Sequence, residues 1–454
     1  MNFYFLINCS TSLYNRPFSN YKSFLDKTVF SLVPAPKQTG LDYSILKENV
    51  GRKLYKGLSS AVIYGPNAAG KSNIIGALDT FKSIVLRGHI RNDDSITANP
   101  SSVRLELIPN NELTEAKPIT FEINFIAELL QIKYCLEIDI GKFLETDATR
   151  SVVREELYVN KDLIFKRLGK DSIELGNFNR YSRYVGARFS ENAEYALSLA
   201  QDNLKADELF LTNGFKSIIS QKLASVIVDW FERKLMVVYH ADKIQFLPSR
   251  NSAAGFSQTF TQAQSLAAEA FGVTANSLTY DADENKTPKL VSEVKVGNKT
   301  VTLPSDVFES YGTLRFVNIF PVLLRTLQTG GTLVVDEFDT SIHPMAIMSL
   351  VNIFHNDEIN VNHAQLVFNT HNPLFLDSNL YRRDEIKFVE RDDITHLSKH
   401  YSLSDFSTAG KHSVRKNTDY MKNYFINHYG AIKDIDFAPV FEALLNRRGE
   451  EQIT

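Results

Sequence analysis

Short apolar runs, each ended by a glycine, an acidic pair or a polar turn, recur along the chain and predict buried strands. Ser60–Tyr64, Thr332–Val335, Gln365–Phe368 and Glu385–Val389 are runs of this kind. The first is followed by apolar residues at helical spacing between Ile74 and Val85. Because strands that alternate with helices are typical of parallel sheets, the pattern predicts an α/β fold.

Further along the chain the apolar period changes to two, which predicts antiparallel strands. Ile119–Phe125 and Ile132–Ile138 alternate and are predicted to pair as a hairpin, and Leu157–Val159 and Leu163–Phe165 are further short strands. We therefore predict an antiparallel β lobe inserted after the first helix. Near the N-terminus, Thr28–Val33 is another β run.

The remaining segments are predicted to be helical or mixed. Glu191–Val238 is mainly helical, Gln262–Ala270 is a shorter helix, and Lys289–Leu303 has the pattern of a hairpin. Thr313–Leu327 is a strongly apolar helix in which Pro321 is expected to cause a bend. No heptad pattern persists for three or four repeats, so a long coiled-coil arm is not predicted.

The composition and charge exclude several classes of function. The 454 residues are 43% hydrophobic and carry a formal charge of −3, so nucleic acid is a possible local contact but is not indicated by charge. Cys9 and Cys135 form no metal-ligand pair, which fits a reducing cytoplasm. No apolar run approaches the roughly 18–20 residues of a membrane span, and the apolar start lacks the basic region of a signal peptide. We expect a cytoplasmic protein.

The stretch Gly65–Ser72 fits the pattern G-x-x-x-x-G-K-S/T of a phosphate-binding loop. It lies between a predicted strand and a predicted helix, so backbone N–H groups and the positive end of the helix would face the phosphates. Lys71 is expected to contact the β- and γ-phosphates of ATP, and the Ser72 hydroxyl is expected to bind Mg²⁺. The predicted nucleotide-binding residues of this segment are Gly65, Asn67, Ala68, Ala69, Gly70, Lys71, Ser72 and Asn73.

Two further motifs follow buried strands, and α/β sheets bind ligands at these strand ends. Asp336 is expected to hold Mg²⁺, and Glu337 is expected to orient the water that attacks the γ-phosphate. His371 follows the next strand and is placed to hydrogen-bond the γ-phosphate. Glu337 and His371 are therefore the predicted catalytic residues.

The segment Glu309–Thr313 begins the apolar helix and has two interpretations. Ser310 is a good helix N-cap, which is a purely structural role. Ser310, Gly312 and Thr313 together are also a good γ-phosphate contact, because helix N-termini bind anions.

Four other clusters are interpreted mainly as structural. Each resembles part of a functional site, namely a Toprim nuclease site, a metal site or a nucleic-acid-binding site. Each lacks the further residues or the setting that such a site needs. Both acidic clusters are interpreted as solvated turns, and no apolar strand delivers the pair Asp434 and Asp436. The clusters are Glu390–Asp393 with Asp434–Asp436, His396 with His400, Arg180–Phe189, and Lys411–Lys416.

The order of phosphate loop, serine-glycine signature, Asp-Glu strand and strand-end histidine resembles the ABC-type ATPases, most closely the SMC, RecF and OLD-like branch. The resemblance implies a P-loop ATPase head with an inserted β lobe and a helical subdomain. It also implies that Ser310, Gly312 and Thr313 contact ATP on an opposite protomer, so that the protein forms at least a head-to-head dimer. The chain departs from the pattern at His343, where many members carry aspartate, and Gln131 is a weak candidate for the missing Q-loop glutamine.

A closer resemblance covers most of the chain and points to a group of bacterial ABC-type AAA ATPases found in anti-phage and abortive-infection loci. The group includes RloA-like proteins and is similar to the AriA subunit of the PARIS defence system. Members commonly work with a separately encoded effector, often a nuclease. The segments that carry the resemblance are Asn20–Phe24, Ser310–Arg315, Asp336–Pro344, Arg382–Glu390, Tyr401–Phe406 and Tyr429–Ile432.

Together these features predict a division of the chain and two hypotheses for its function. Residues 1–90 and 301–454 are expected to form the ATPase head, 91–190 the β lobe, and 191–300 a helical and mixed insertion. The main hypothesis is a defence ATPase that controls an effector. The alternative is a DNA-binding ATPase of RecF or SMC type in DNA repair or maintenance, and a scaffold in which ATP serves assembly is a third possibility.

Overall fold

The structure is a computed structural model, and it describes residues 18–36, 38, 40–91, 105–145, 148–185, 193–239, 257–259, 262–272, 277–282, 288–407, 414, 418–433 and 435–450. The strands are β1 (Phe18–Ser19), β2 (Ile45–Val50), β3 (Lys53–Leu58), β4 (Ser60–Tyr64), β5 (Ile119–Ala127), β6 (Leu130–Asp139), β7 (Ser151–Val159), β8 (Asp162–Leu168), β9 (Ser172–Leu175), β10 (Leu235–Val238), β11 (Ser257–Thr259), β12 (Ser277–Ala282), β13 (Pro288–Val296), β14 (Lys299–Pro304), β15 (Thr332–Val335), β16 (Gln365–Asn369), β17 (Ile386–Arg391) and β18 (Ser398–Ser402). The α-helices are α1 (Lys71–Arg87), α2 (Ala193–Asp202), α3 (Gln221–Asp229), α4 (Gln262–Phe271), α5 (Ser305–Phe308), α6 (Tyr311–Thr329), α7 (Pro344–Phe354), α8 (Tyr420–Phe425) and α9 (Ala438–Glu450), and Leu211–Ile219 and Trp230–Lys234 are π-helical.

A central six-stranded sheet has the order β10-β15-β16-β4-β17-β18. Its first five strands are parallel to their neighbours, and β18 is antiparallel to β17. The predicted α/β fold with a mainly parallel sheet is therefore confirmed. The prediction that the helical region extends to Val238 is wrong, because β10 pairs with β15 and forms the edge of this sheet. Its four apolar residues are too few to distinguish a strand from the end of a helix by period alone.

The two faces of the central sheet bury different sets of side chains, as the alternation of a strand requires. Ala61 and Ile63 of β4 pack in the same core as α1, whereas Val62 and Tyr64 pack with α6 and α7. The phosphate-binding strand is thus covered on both sides, and helices cover both faces of the sheet as in other parallel sheets.

A second, antiparallel sheet has the order β1-β5-β6-β7-β8-β9 and lies against α1. The predicted hairpin is confirmed, since β5 and β6 pair antiparallel from Ile119–Ile138 to Ala127–Leu130. The ring of Phe81 on α1 stacks on Phe121 at 5.3 Å and on Tyr134 at 5.8 Å between ring centroids. This sheet and the helix that follows the phosphate loop therefore share one hydrophobic core.

Two other predictions about local structure have opposite outcomes. The hairpin predicted at Lys289–Leu303 is confirmed as β13 and β14. The strand predicted at Thr28–Val33 is wrong, because the described backbone there makes only an isolated bridge between Thr28 and Phe18. Phe30 and Leu32 are buried in the core shared with α1, so these side chains are packed without the segment joining a sheet, and tertiary context overrides β-propensity.

Candidate functional site

The phosphate loop connects β4 to α1 at the carboxyl end of the central sheet. Gly70 precedes the helix with φ of +107°, a conformation that L side chains rarely adopt. A Cβ on Gly70 would lie 2.7 Å from Ser398 Oγ, and a Cβ on Gly65 would lie 2.2 Å from the carbonyl oxygen of Val389. No side chain caps the start of α1, so the first N–H groups of this 17-residue helix remain for an anion.

Lys71 is buried and folded back on the loop that precedes it. Its Nζ donates hydrogen bonds to the carbonyl oxygens of Gly65 at 2.8 Å and Pro66 at 3.0 Å. Burial lowers the pKa of Lys71 to about 8, although the nearby carboxylates of Asp336 and Glu337 raise it. At neutral pH the side chain is therefore still mainly a cation, and it lies in a site where a phosphate would stabilise its charge.

Ser72 of the phosphate loop and Asp336 of the Asp-Glu strand lie next to each other. Ser72 Oγ donates to Asp336 Oδ1 at 2.9 Å, and Asn369 Nδ2 donates to the same oxygen at 2.5 Å. A hydroxyl beside a carboxylate is a suitable ligand pair for Mg²⁺, which takes one or two protein ligands together with water and phosphate oxygens. The residues present therefore fit the predicted ion.

Glu337 has a backbone conformation that its neighbours hold in place. Its φ is +50°, and such left-handed non-glycine residues cost on the order of 1–3 kcal/mol. The Glu337 N–H donates to Asn369 Oδ1, and Arg315 Nη2 donates to the Glu337 carbonyl oxygen. Asn369 and Arg315 were not predicted as site residues, although Asn369 directly precedes the Thr370-His371 pair and Arg315 lies one turn after the signature.

His371 follows β16 and is half-buried beside charged groups of the site. Burial lowers the pKa of the His371 imidazole, and the Lys71 ammonium lowers it further, whereas Asp339 and Asp336 raise it. The ring is therefore neutral at neutral pH and can donate one hydrogen bond to a phosphate oxygen. Thr370 Oγ1 donates to Asp339 Oδ2 at 2.6 Å, which connects this strand end to the loop after Glu337.

The signature segment caps its helix and packs on the loop after Glu337. Ser310 Oγ accepts from the Thr313 N–H at 3.1 Å, so the capping interpretation is confirmed. A Cβ on Gly312 would lie 2.1 Å from the carbonyl oxygen of Ser341, so only glycine fits there. Tyr311 is exposed. The contact of Ser310, Gly312 and Thr313 with a nucleotide on another protomer stays a prediction.

Two serines that the sequence did not single out support the phosphate loop. The Ser398 hydroxyl on β18 donates to the Ala69 carbonyl oxygen at 2.6 Å, and its Oγ lies 2.7 Å from Ser23 Oγ, within hydrogen-bond distance. Asn73 Nδ2 donates to Ser23 Oγ at 2.7 Å. Ser23 lies in the Asn20–Phe24 segment that carried the family resemblance, which was the only sequence signal for it. The remaining predicted loop residues, Asn67 and Ala68, are exposed at the loop tip.

The acidic cluster near Glu390 differs from the prediction in one respect. Glu390 lies on the largely buried strand β17, so the prediction of a solvated turn is wrong for this residue, whereas Asp392 and Asp393 follow the strand and are exposed. Its carboxylate accepts from the Tyr401 hydroxyl at 3.1 Å, and hydrogen bonds from Thr395 lower the pKa of Asp392. Asp434 lies outside the described residues, and Asp436 Oδ1 accepts from the Ala438 N–H. The described carboxylates thus make local structural bonds.

Of the other three clusters, the structure describes the histidine pair and part of the first basic cluster. His396 is in a turn with φ of +55° and His400 is on β18, so the helical spacing of the pair is not realised. Within the described ranges, no three His, Cys, Asp or Glu side chains are grouped to hold a metal ion. Gln131 accepts from the Tyr55 hydroxyl in the β5–β6 hairpin region. The described Arg180 pairs with Asp162, whereas Arg188, Phe189, Lys411, His412, Arg415 and Lys416 lie outside the described residues.

Comparison with known proteins gives one family match and several distant structural neighbours. Residues 60–377 match the model of a family described as "AAA domain, putative AbiEii toxin, Type IV TA system". No curated protein matches the chain. Among the helices of the described part, none is both long and apolar enough to span a membrane.

The solved structures that are similar include two SMC head domains. The SMC head domain from Thermotoga maritima is 12% identical with a TM-score of 0.30, and the match covers 79% of this chain and 96% of that one. An Smc head with an extended coiled coil, bound to the C-terminal domain of ScpA derived from Pyrococcus furiosus, is 14% identical with a TM-score of 0.32, and covers 79% and 95% of the two chains.

Proposed function

Because the chain belongs to the family described as "AAA domain, putative AbiEii toxin, Type IV TA system", we propose that it binds and hydrolyses ATP at the phosphate loop. The proposal rests on one observation: Ser72 of the loop and Asp336 of the Asp-Glu strand share a hydrogen bond at 2.9 Å. The contact joins residues that are 264 positions apart, and a hydroxyl beside a carboxylate is a suitable ligand pair for Mg²⁺.

Each residue then has a distinct chemical role. Lys71 and the N–H groups at the start of α1 bind the phosphates, and Ser72 and Asp336 hold Mg²⁺. Bound Mg²⁺ would neutralise charge that develops on the phosphate oxygens. Glu337 orients the attacking water, and neutral His371 donates to the γ-phosphate. Asn369 and Arg315 fix the backbone of Glu337, so we class them as positioning residues.

Steady-state ATP turnover of two variants tests this assignment. Lys71→Ala should lose ATP binding and turnover together, because the phosphate cation is removed. Glu337→Gln should lose turnover but still bind ATP, because the phosphate contacts remain. Undiminished hydrolysis in both variants would contradict the site assignment.

We further propose that two copies of the chain close on ATP in a head-to-head dimer. Support comes from the ABC-type order of motifs and from the signature segment, where Tyr311 is exposed and Gly312 packs on the carbonyl of Ser341. Light scattering of Glu337→Gln should show a mass increase when ATP and Mg²⁺ are added. Lys71→Ala should stay unchanged under the same conditions, and an ATP-independent oligomer in both variants would instead favour the scaffold role.

At the level of biology, we propose that the protein is the ATPase of an anti-phage defence system and controls a separate effector such as a nuclease. The family description and the resemblance to ATPases of abortive-infection loci support this role. A phage challenge of cells that carry the gene with its neighbours tests it, with Lys71→Ala as the matched control. Protection that requires Lys71 is expected. Salt-dependent, ATP-stimulated binding of duplex DNA by the isolated protein would favour the RecF or SMC-like alternative instead.

A further inference from the structure

A groove lies beside the phosphate loop. It has a volume of about 870 Å³ and lies between the segment 25–35 and the strands β17 and β18. Small-molecule sites typically have volumes of about 300–1,000 Å³. The groove is therefore large enough for a ligand of the size of a sugar phosphate or a nucleoside monophosphate.

A buried lysine without a partner lines this groove. Lys387 of β17 is 4% exposed, and it makes no hydrogen bond or ion pair with the part of the chain that the structure describes. Burial lowers the pKa of Lys387, although Asp384, Asp405 and Glu385 raise it. A buried ammonium is unfavourable unless it is paired, so an anion bound beside Lys387 would stabilise its charge.

The carboxylates nearest to Lys387 are already engaged elsewhere. Asp384 accepts from Arg382 at 2.9 and 3.0 Å and from the Ala35 N–H at 2.8 Å. Asp405 accepts from the Ser402 N–H at 2.8 Å, where it forms part of a capping box. Neither acid is directed to Lys387 by a hydrogen bond, so the acids do not remove the need for an external partner.

A second unpartnered nitrogen faces the same groove. His400 of β18 lines it, and its Nε2 is buried with no hydrogen-bond partner among the described residues. Burial and the charge of Lys387 lower the pKa of His400 to about 3, although a hydrogen bond with the Val29 backbone raises it, so the ring is neutral and its Nε2 is a hydrogen-bond acceptor. In the antiparallel pair of β17 and β18, Lys387 lies opposite Ser402 and His400 lies opposite Val389, so Lys387 and His400 are diagonal neighbours on one face of the sheet.

The position of Lys387 separates this site from the predicted nucleotide site. Lys387 pairs with Ile63 of β4, two residues before the phosphate loop begins at Gly65. At about 3.3 Å per strand residue, Lys387 lies roughly 7 Å below the start of the loop. The far end of the groove is lined by Ser398, whose hydroxyl donates to the Ala69 carbonyl of the loop at 2.6 Å. Ser398 therefore connects the lining of the groove to the phosphate loop.

We propose that this groove binds a small phosphorylated molecule, with its phosphate on Lys387 and its hydroxyl groups on the polar wall. Ser31 Oγ accepts from the Val33 N–H at 3.2 Å, so its proton is available for a phosphate oxygen. Asp26 and Asp392 line the groove and can accept from ligand hydroxyls. A phosphate suits the site because it carries three strong acceptor oxygens.

Calorimetric titration of the Lys71→Ala protein tests the binding directly, because that variant removes the cation of the phosphate loop. The probes are ribose 5-phosphate and inorganic phosphate. Ribose 5-phosphate should bind, and Lys387→Met in the same background should weaken it by about tenfold or more, the usual effect of losing a charged hydrogen bond. Lys399→Met removes an exposed lysine of the same groove and should change the affinity by about twofold or less.

Three results would overturn the site. They are the absence of ribose 5-phosphate binding, equal weakening in Lys387→Met and Lys399→Met, and inorganic phosphate binding as tightly as the sugar phosphate. A thermal melt guards against misfolding, because Lys387→Met should melt no lower than its parent when an unpaired buried charge is removed. A large drop in melting temperature would show that Lys387 is structurally paired and would also overturn the proposal.

The contact through Ser398 predicts that the groove influences the phosphate loop. Saturating ribose 5-phosphate should change the apparent KM for ATP by about twofold or more in the wild type and leave it unchanged in Lys387→Met. An effect that persists in Lys387→Met would place the probe on the phosphate loop itself and would overturn the coupling. This second measurement rests on the proposed ATPase activity, whereas probe binding to the Lys71→Ala protein does not, so the two can fail separately.

Discussion

Asn369 is the residue through which the structure makes its most specific prediction. Its amide joins the two acidic residues of the Asp-Glu strand, since Nδ2 donates to Asp336 Oδ1 at 2.5 Å and Oδ1 accepts from the Glu337 N–H. Asn369 is buried, so no bulk water can replace these bonds. Asn369→Ala should therefore remove the support of both the metal-binding and the water-orienting carboxylate.

The expected loss of stability follows from the bonds that disappear. A hydrogen bond to a charged group contributes about 1.5–3 kcal/mol, and an unsatisfied buried N–H costs about 1–3 kcal/mol. The two effects together should lower the free energy of unfolding in urea by about 2–5 kcal/mol, because the structure around the substitution partly relaxes. Turnover should fall further than stability alone explains, because a displacement of about 1 Å at a catalytic group can cost about 10²-fold in rate.

A matched control separates the two effects. Asn360 is equally buried, donates to the carbonyls of Phe354 and Ala364 at 2.8 and 2.9 Å, and accepts from the Ala364 N–H at 2.7 Å. It precedes β16, whereas Asn369 ends it, so roughly 16 Å of strand separates the two. Asn360→Ala should lose similar stability with kcat changed by about twofold or less, measured well below both melting temperatures. Equal losses of kcat in the two variants, or full activity in Asn369→Ala, would refute the reasoning.

Three shorter predictions concern the same site. Arg315→Met should lower kcat about tenfold with little change in ATP affinity, since Arg315 donates to the Glu337 carbonyl oxygen. The control is Arg325→Met, which replaces an exposed arginine on the same helix. Equal effects of the two substitutions would contradict the positioning role of Arg315. Gly70→Ala should abolish ATP binding and lower the urea midpoint more than Gly51→Ala, because both have positive φ but only Gly70 has atoms within 3 Å of the added Cβ. ATP binding to Glu337→Gln should weaken as pH rises from 7 to about 9.5, because free Lys71, whose pKa is about 8 with the Glu337 carboxylate present and lower without it, loses its proton. An unchanged Kd over this range would argue against a cationic Lys71 contact.

The sequence predicted the parts of the fold that depend on local chemistry. The buried strand before the phosphate loop, the hairpin of β5 and β6 and the apolar helix α6 all appear where their periodicity indicated. Predictions failed at Thr28–Val33 and at Leu235–Val238. In both cases a short apolar run has no preferred period, and long-range packing decides whether it pairs with a strand, ends a helix or only buries its side chains.

The difference between what the sequence predicts and what the tertiary structure decides is clearest at the candidate site. The sequence by itself determined the phosphate loop, because the glycine spacing, the lysine and the serine are adjacent in the chain. They need only a strand before them and a helix after them. It also marked Asp336, Glu337 and His371 as strand-end residues. Only the tertiary structure decided that Asn369, Arg315, Ser23 and Ser398 hold these residues in place. It also decided that Lys387 lies buried beside the loop with no hydrogen-bond partner among the described residues. The physical reason is that hydrogen bonds and burial depend on distances between residues far apart in the chain, and strand order and register fix those distances.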